Sequence, residues 1–369
     1  MKIIIINPIL YTCENSYIKK VKSIKDTMIY NLCLEFKRNG HEVILIAAKD
    51  YEPIEKEQYD VEVIFLPTIL KKIFKPNCFP LLKGLLKTLK KEFVNFDLIV
   101  SSEVFQMSSL LVSMKYKNKT IIWHELAKHN NLMKKIPSKI WYNIIAKMFF
   151  RNTKIVARSK NAQKFIKKYC NNVSENYIDH GVDLSEFLVD KEKANHFIVV
   201  SQLIYRKHID GIIEAFSDFV QDRAEDYKLL IVGSGDKREE LEKLVNNKKI
   251  NRNVEFKGQL SHAEIVPLLS KARALLINTE KDNSMLSIVE SIATATPIVT
   301  TPIPYNVDYV KKFKLGVVTD KFSKEDLEEI VQNNEVYVNN CFEYREKLSN
   351  EYHIKQFIDE YKEMISKEK

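Results

Sequence analysis

The stretch Lys281–Thr301, K-D-N-S-M-L-S-I-V-E-S-I-A-T-A-T-P-I-V-T-T, carries the most information about the fold of this chain. Its apolar residues follow mostly helical spacing, which predicts a helix of about two to three turns that begins near Asn283 or Ser284. Thr296-Pro297 ends this helix, and the run Ile298–Thr300 is typical of a buried strand. A loop, a short helix and a buried strand therefore follow one another here.

Two carboxylates flank the start of the predicted helix. Asp282 precedes it, and Glu290 lies about two turns along it. The free N–H groups and the positive dipole end of a helix start bind anions. The pattern suits a nucleotide sugar, with the diphosphate on the N–H groups and the hydroxyls on the carboxylates. A surface helix with a capping side chain and an unrelated Glu is the alternative interpretation.

The composition is that of a soluble protein with two domains. The 369 residues allow two domains of roughly 180 residues each, and the 45% of hydrophobic residues is ordinary for a globular chain. The sequence contains no signal peptide and no run long enough to span a membrane. Five scattered cysteines without a C-x-x-C pattern favour a reducing cytoplasm over a disulfide framework or a zinc site.

Positive charge is concentrated in the first half of the chain. Residues 1–190 carry 31 basic and 19 acidic residues, a net charge of +12, whereas residues 191–369 carry a net charge of −3. The asymmetry indicates an anionic partner for the first half, or a solvated Lys-rich surface. Two stretches, Leu81–Phe93 and Ile136–Phe150, have the pattern of basic amphipathic helices. Such helices lie on a membrane or pack on a sheet, and the run Ile69–Lys75 adds cations and apolar surface beside them.

Two series of alternating strands and helices fill the chain. The first opens with the apolar run Lys2–Asn7 and continues through a predicted strand at Thr120–Trp123, which ends in His124. The second begins at His196–Ser201. Each series predicts a parallel sheet covered by helices, in which ligands bind beyond the carboxyl ends of the strands. His124 lies at such an end, although a lone His there is often structural.

The second half resembles the retaining glycosyltransferases of family 4, which have the GT-B fold. Asp282 and Glu290 match the family's E-x7-E signature, and Glu290-S-I-A-T-A-T-P-I-V resembles its E-A-M-A-x-G-x-P-V-V, with Ala295 in place of the Gly. Ser201-Q-L-I-Y-R-K-H resembles G-R-L-x-x-x-K-G, so Lys207 matches the family's Lys. Gln202 replaces the Arg, and Arg206 is a neighbouring cation.

The first half resembles the family less specifically. Gly40-H-E-V matches its G-H-E-V, and His180-G-V-D resembles its N-G-V-D, with His180 in place of the Asn. The loop after the first strand is rich in glycine in the family but contains no glycine here. The resemblance implies two Rossmann-like domains that face one another across a cleft. The predicted boundaries are 1–187 for an acceptor-side domain, 188–350 for a nucleotide-sugar domain and 351–369 for a helix that returns to the first domain.

The resemblance implies a retaining transfer of a hexosyl or N-acetylhexosaminyl group from a nucleoside-diphosphate sugar, with UDP favoured, to a glycan or polyprenyl-linked acceptor in surface polysaccharide synthesis. It implies catalytic roles for His124, Lys207 and Asp282. Because the chain has no D-x-D triplet, fixed cations are expected to replace a metal, and no cofactor is expected. The donor-binding positions implied are Gln202, Arg206, Lys207, Gly258, Ser284, Met285, Leu286, Ser287 and Glu290.

The expected partners are a nucleotide sugar, a glycan or lipid-linked acceptor and, for the basic half, an anionic membrane surface at the cytoplasmic face of the cell membrane. No recognisable nucleic-acid-binding module is present. Two alternatives remain open. A GT-B nucleotide-sugar epimerase would add water instead of a sugar acceptor, and the departures at Gln202, Asp282 and Ala295 leave room for an inactive binding subunit.

Overall fold

The computed structural model describes residues 1–11, 18, 21–25, 27–92, 95–130, 132–179, 181–221, 223–282 and 285–366. The chain forms two compact units. The N-terminal unit comprises Met1–Gly181 and Asn350–Lys369, and the C-terminal unit comprises Val182–Ser349. The structural division thus falls at residues 181 and 349, where the sequence predicted boundaries at 187 and 350. His180, Ser284 and residues 12–17, 19, 20 and 26 of the glycine-free loop after the first strand lie outside the described residues.

A seven-stranded parallel sheet forms the centre of the N-terminal unit, in the order β3-β2-β1-β4-β5-β6-β7. The central strands are continuous apolar runs because both faces of the sheet are covered by helices. The strands are β1 (Lys2–Ile6), β2 (Glu42–Ala48), β3 (Glu62–Leu66), β4 (Leu98–Ser102), β5 (Thr120–His124), β6 (Lys154–Ala157) and β7 (Val173–Tyr177). The helices are α1 (Met28–Arg38), α2 (Leu85–Glu92), α3 (Met107–Tyr116), α4 (Ile136–Ile140), α5 (Lys147–Phe149) and α6 (Lys160–Ile166).

The C-terminal unit repeats this arrangement with a six-stranded parallel sheet in the order β10-β9-β8-β11-β12-β13. The strand order reverses between β8 and β11, and this is where ligands bind in such sheets. The strands are β8 (His196–Val200), β9 (Lys228–Val232), β10 (Val254–Gly258), β11 (Ala274–Ile277), β12 (Ile298–Thr300) and β13 (Gly316–Val318). The helices are α7 (Ile209–Gln221), α8 (Arg238–Asn247), α9 (His262–Lys271), α10 (Leu286–Ala293), α11 (Val307–Lys312), α12 (Lys324–Gln332) and α13 (Asn334–Tyr344).

The last helix, α14 (Asn350–Ser366), belongs to the N-terminal unit. Phe357 is fully buried, with its ring centroid 5.4 Å from that of Trp123 and 6.3 Å from that of Phe36. Glu360 forms a buried ion pair with Lys154 at 2.6 Å. The predicted return of the last helix to the first domain is confirmed, and so is the prediction of two Rossmann-like domains.

Helix ends in the left-handed region are held both by glycine and by other residues. After α1, Gly40 has a φ of +79°, and the next N–H, of His41, bonds back to the carbonyl of Phe36. The same position after α8 is occupied by Lys249 with a φ of +59°, and after α10 by Ala295 with a φ of +54°. Glycine is the usual residue at these positions because a Cβ is strained there. In this glycine-poor chain, the backbone is therefore strained at helix ends where a non-glycine residue takes the left-handed conformation.

The helix after β5 contains one wider turn. Between α4 and α5, residues Trp141–Ala146 form a π-helical segment. A π turn holds one more residue than an α turn, and such turns are frequent at functional sites. No helix among the described residues is both long and apolar enough to cross a bilayer.

Candidate active site

The Asp282 carboxylate lies between two cations. Lys207 Nζ is 2.7 Å from Asp282 Oδ2, and Arg206 Nη1 is 3.1 Å from Oδ1. The hydroxyl of Thr279 also donates to Oδ2, at 2.7 Å. The structure therefore brings together three of the residues that the sequence predicted for the site, and it adds Thr279, which the sequence did not indicate.

Backbone contacts join the two loops that carry these side chains. Arg206 belongs to the short 3₁₀ turn after β8, and its carbonyl accepts the N–H of Glu280 at 3.0 Å and the hydroxyl of Thr279 at 3.2 Å. Arg206 Nη1 also donates to the carbonyl of Lys281 at 2.6 Å. Because β8 and β11 are neighbours in a parallel sheet, the loops after their carboxyl ends meet at one edge.

The pKa of Asp282 is held below its usual value. Burial alone would raise it, but hydrogen bonds from Lys207 and Thr279 and the charge of Lys207 outweigh the desolvation. The carboxylate is therefore ionised at neutral pH and shares its charge with both cations.

The start of α10 is fixed by the residue that precedes α11. The N–H of Met285 donates to Asn306 Oδ1 at 3.1 Å, and Asn306 Nδ2 donates to the carbonyl of Met285 at 2.9 Å. Leu286 is about half exposed, and Ser287 is half-buried. The first-turn N–H groups of a helix precede any acceptor within that helix. Those of Leu286 and Ser287 are thus placed for an anion, while the N–H of Met285 is already bonded.

Glu290 lies further along α10. Its carboxylate contacts a histidine, His262, and not the cations around Asp282. Its Oε1 is 3.5 Å from His262 Nε2, and this contact raises the pKa of His262. The His262 ring also meets Phe187 edge-on, with centroids 5.2 Å apart. His262 was not predicted, because a His at the start of a helix in a loop-rich stretch has no distinguishing sequence signal.

Two further predicted positions occupy the loops beside this site. Gln202 is exposed in the loop after β8, and its carbonyl accepts the N–H of Ile204 at 3.0 Å. Gly258, with a φ of +69°, accepts the N–H of Gly233 at 2.8 Å. A Cβ on Gly233 would lie 1.8 Å from the carbonyl oxygen of Ser201, so only glycine allows this close approach. No hydrogen bond joins the side chain of Gln202 to Asp282 among the described residues.

His124 occupies the predicted end of β5 in the N-terminal unit. The ring is fully buried, and its Nδ1 lies 2.5 Å from Glu103 Oε1. Its Nε2 has no hydrogen-bond partner among the described residues. Phe165 stacks on the ring with centroids 6.2 Å apart. A buried histidine with one nitrogen anchored and the other unpaired is a candidate ligand-binding group.

Glu103 was not predicted, although it follows β4 at the same edge of the sheet. Its carboxylate accepts the N–H groups of Val104 at 2.9 Å and of Glu125 and Leu126 at 3.1 Å. Burial would raise its pKa, but the charge of His124 and these hydrogen bonds lower it to about 2. Its φ of +68° is strained for a non-glycine residue, and such strain clusters at functional sites.

Solved structures define the class of protein to which this fold belongs. A crystal structure of HepE from Anabaena in complex with UDP is similar to this chain with a TM-score of 0.65 and 13% identity, covering 97% of this chain and 99% of that one. A likeness at this level of identity shows the fold alone. The two Rossmann-like domains are those of the GT-B glycosyltransferases.

Sequence comparison identifies the family. Residues 26–186 match the family described as Glycosyltransferase Family 4, and residues 183–351 match Glycosyl transferases group 1. The chain belongs to these group 1, family 4 glycosyltransferases. It is 22% identical over 320 residues to the alpha-monoglucosyldiacylglycerol synthase of Streptococcus pneumoniae, covering 79% of this chain and 70% of that protein. It is 28% identical over 170 residues to the O-antigen chain mannosyltransferase RfbU of Salmonella typhimurium, covering 45% of this chain and 47% of that relative.

Proposed function

We propose that the protein is a retaining glycosyltransferase that moves a hexosyl or N-acetylhexosaminyl group from a UDP-sugar to a hydroxyl of a glycan or lipid-linked acceptor. The observation that carries the proposal is the contact of Lys207 and Arg206 with Asp282 at the carboxyl edge of the second sheet. Cleavage of the bond between sugar and diphosphate builds negative charge on the leaving phosphate, and positioned cations stabilise that charge.

The donor exchanges partners with Asp282 when it binds. Lys207 and Arg206 turn from the carboxylate to the diphosphate, and the N–H groups of Leu286 and Ser287 bind its other oxygens. The freed Asp282 carboxylate accepts hydroxyls of the donor sugar. Glu290 accepts the two ribose hydroxyls. Lys207, Arg206 and the N–H groups at the start of α10 provide the positive charge that the leaving phosphate needs, so we expect transfer without a metal ion.

The acceptor proton passes to the leaving phosphate, as expected for a retaining enzyme of this fold, and we assign no protein base. In the N-terminal unit, His124 binds a hydroxyl of the acceptor through Nε2, which has no hydrogen-bond partner among the described residues. The lipid or glycan nature of the acceptor is supported by two relatives, a glucosyldiacylglycerol synthase and an O-antigen mannosyltransferase. The UDP donor is supported by the UDP bound to the similar HepE.

The first test is a thermal-shift screen of UDP, GDP, ADP and TDP with the wild type and with Lys207→Ala and Glu290→Ala. A nucleotide at 100 times its dissociation constant adds about 2.7 kcal/mol of stability. We expect a shift with UDP that both variants lose. Matched controls are Lys228→Ala and Glu255→Ala, because Lys228 begins β9 at the amino edge of the same sheet and Glu255 is exposed on β10.

The outcome separates the parts of the proposal. A shift with none of the nucleotides would overturn the donor site, and a shift with another nucleotide alone would overturn the UDP assignment. With the donor known, transfer to a diacylglycerol or glycan acceptor is measured by release of nucleoside diphosphate, with and without EDTA. The anomeric configuration of the product, determined by NMR, decides between retention and inversion, and loss of transfer in EDTA would contradict a metal-free reaction.

A further inference from the structure

An apolar stripe lies on the outside of the helix after β5. Ile136, Ile140, Ile144 and Met148 recur at every fourth position, and each is between 51% and 66% exposed. Residues four apart on a helix are neighbours on one face, so these side chains form a continuous row. Apolar side chains exposed singly are ordinary, but a contiguous row of four large ones indicates an interaction surface.

The π turn keeps this row in line. In a regular α-helix, a spacing of four residues drifts by about 40° at each step. The segment Trp141–Ala146 holds more residues per turn and so turns the row back between Ile140 and Met148. The opposite side of the same turn is anchored in the core, where Trp141 Nε1 donates to the carbonyl of Val104 at 2.9 Å. The exposed row is therefore held by a rigidly packed helix.

A second exposed apolar segment lies beside the helix. Leu70 and Ile73, in the loop after β3, are 59% and 71% exposed. Phe74 in the same loop stacks on Phe79 with centroids 5.8 Å apart, and the Phe79 ring meets that of Trp141 at 5.0 Å. These rings tie the loop to the helix that carries the apolar stripe. Both exposed segments therefore belong to one edge of the N-terminal unit.

The charge around this edge is of one sign. The 49 residues from 126 to 174 contain no Asp or Glu and twelve Lys or Arg, and residues 63–91 contain no Asp or Glu and seven Lys. Lys139 and Lys147 are exposed along the helix and Arg151 just after it, and Lys72 and Lys75 are exposed in the loop. An apolar row bordered by cations complements a surface with an apolar interior and anionic headgroups.

We propose that this edge binds an anionic lipid bilayer, with the apolar stripe and Leu70 and Ile73 inserted below the headgroups and the flanking Lys and Arg residues on the lipid phosphates. A second copy of the chain would bring like charges together, which disfavours a symmetric dimer at this edge. Single-stranded nucleic acid needs exposed aromatic side chains for stacking, and the apolar stripe consists of Ile and Met. The proposal concerns a surface of the N-terminal unit and does not depend on the donor assigned above.

The test is co-sedimentation with vesicles of phosphatidylcholine alone or of equal parts phosphatidylcholine and phosphatidylglycerol. We expect binding to the anionic vesicles that weakens with salt. Each Lys near an anionic surface contributes about a fivefold factor in affinity, so Lys139→Gln with Lys147→Gln should weaken binding roughly 25-fold. Ile140→Asn with Ile144→Asn should weaken it at least about tenfold, because two side chains leave the apolar layer.

Matched controls carry the same changes elsewhere. Ile54→Asn with Val336→Asn removes two exposed apolar side chains, and Lys249→Gln with Lys314→Gln removes two exposed cations. Both control proteins should bind as the wild type does. The thermal shift with nucleotide should be unchanged in every variant, which separates this surface from the donor site and shows that each variant is folded.

Three outcomes would overturn the proposal. The first is no binding to anionic vesicles. The second is binding that the Ile and Lys variants retain in full. The third is a dimer in light scattering that Ile140→Asn with Ile144→Asn abolishes, which would assign the apolar stripe to a second copy of the chain. If Ile140→Asn with Ile144→Asn does not fold, vesicle binding by Lys139→Gln with Lys147→Gln tests the proposal alone. These exposed Lys to Gln changes leave the packed side of the helix intact.

Discussion

The carboxylate of Glu103 holds the imidazole of His124 by Nδ1 at 2.5 Å and leaves Nε2 of the same ring without a described partner. Because the pKa of Glu103 is lowered to about 2, this carboxylate is ionised at neutral pH and accepts a hydrogen bond from the Nδ1–H of His124. In the neutral ring, Nε2 is then the acceptor. In the proposed function, Glu103 is therefore a positioning residue that determines which nitrogen of His124 faces the ligand.

We expect Glu103→Gln to reduce kcat about 100-fold with little change in UDP binding. The Gln amide can present an N–H to Nδ1, which favours the wrong tautomer of His124, and a small misplacement of a binding group has this order of effect. The measurement is steady-state transfer together with the UDP thermal shift. Glu62→Gln, an exposed change at the start of β3, is the control. A kcat within about threefold of the wild type would refute the positioning role.

The same carboxylate should make the protein sensitive to acid. The folded pKa of Glu103 lies below the unfolded value of about 4.5, so its stabilisation is present above pH 4.5 and is lost as the pH falls from about 4.5 to 2. The shift corresponds to about 3 kcal/mol in the free energy of unfolding. Denaturant unfolding between pH 6 and 3 should therefore show a steeper loss in the wild type than in Glu103→Gln. Parallel curves would contradict this assignment.

Asp282→Asn should separate nucleotide binding from transfer. The variant frees Lys207 and Arg206 and removes a negative charge near the diphosphate, so UDP should bind roughly fivefold tighter, or about 1 kcal/mol. Transfer should fall about 100-fold, because the hydroxyls of the donor sugar lose their hydrogen bonds to the Asp282 carboxylate. Calorimetric titration of UDP and a transfer assay give the two values. Weaker UDP binding, as expected for Lys207→Ala, would mean that Asp282 mainly positions the cations.

Lys249→Gly should stabilise the C-terminal unit by about 0.5–1 kcal/mol. Lys249 has a φ of +59° after α8, its N–H bonds to the carbonyl of Asn246 at 3.1 Å, and glycine adopts this conformation without strain. Lys248→Gly is the matched control. Lys248 has a φ of −77°, so glycine there should destabilise by about 1 kcal/mol. Thermal unfolding measures both, and equal effects of the two changes would refute the strain argument.

Much of the fold follows from local patterns. Apolar runs such as Ile3–Ile6 predict buried parallel strands, and the spacing of Asp282 and Glu290 places both on one short loop and helix. The convergence of Lys207 on Asp282 could be predicted only through the family resemblance. Their separation of 75 residues in sequence is closed by the neighbouring positions of β8 and β11, which no local pattern encodes.

Other features needed tertiary context. Glu103 stands alone after a strand, and only the folded sheet brings it to His124. The helix from Ile136 has two apolar sides, one with Trp141 and Tyr142 and the other with Ile140 and Ile144. Composition cannot decide which side faces the core. The structure buries the aromatic side, where Tyr142 donates to Glu103 at 3.4 Å, and exposes the aliphatic side.

The π turn at Trp141–Ala146 lets this helix hold one more residue than a regular helix with the same two faces. Deletion of one exposed residue, such as Asn143, would convert the segment into regular α-helix. Ile140 and Met148 would then be seven residues apart, a rotation of about 700° that lies within about 20° of two full turns. The exposed row and the packed side with Trp141 would therefore both keep their places. A difference of one residue in length is thus tolerated here, and a relative with the shorter, regular helix would keep the same outer surface.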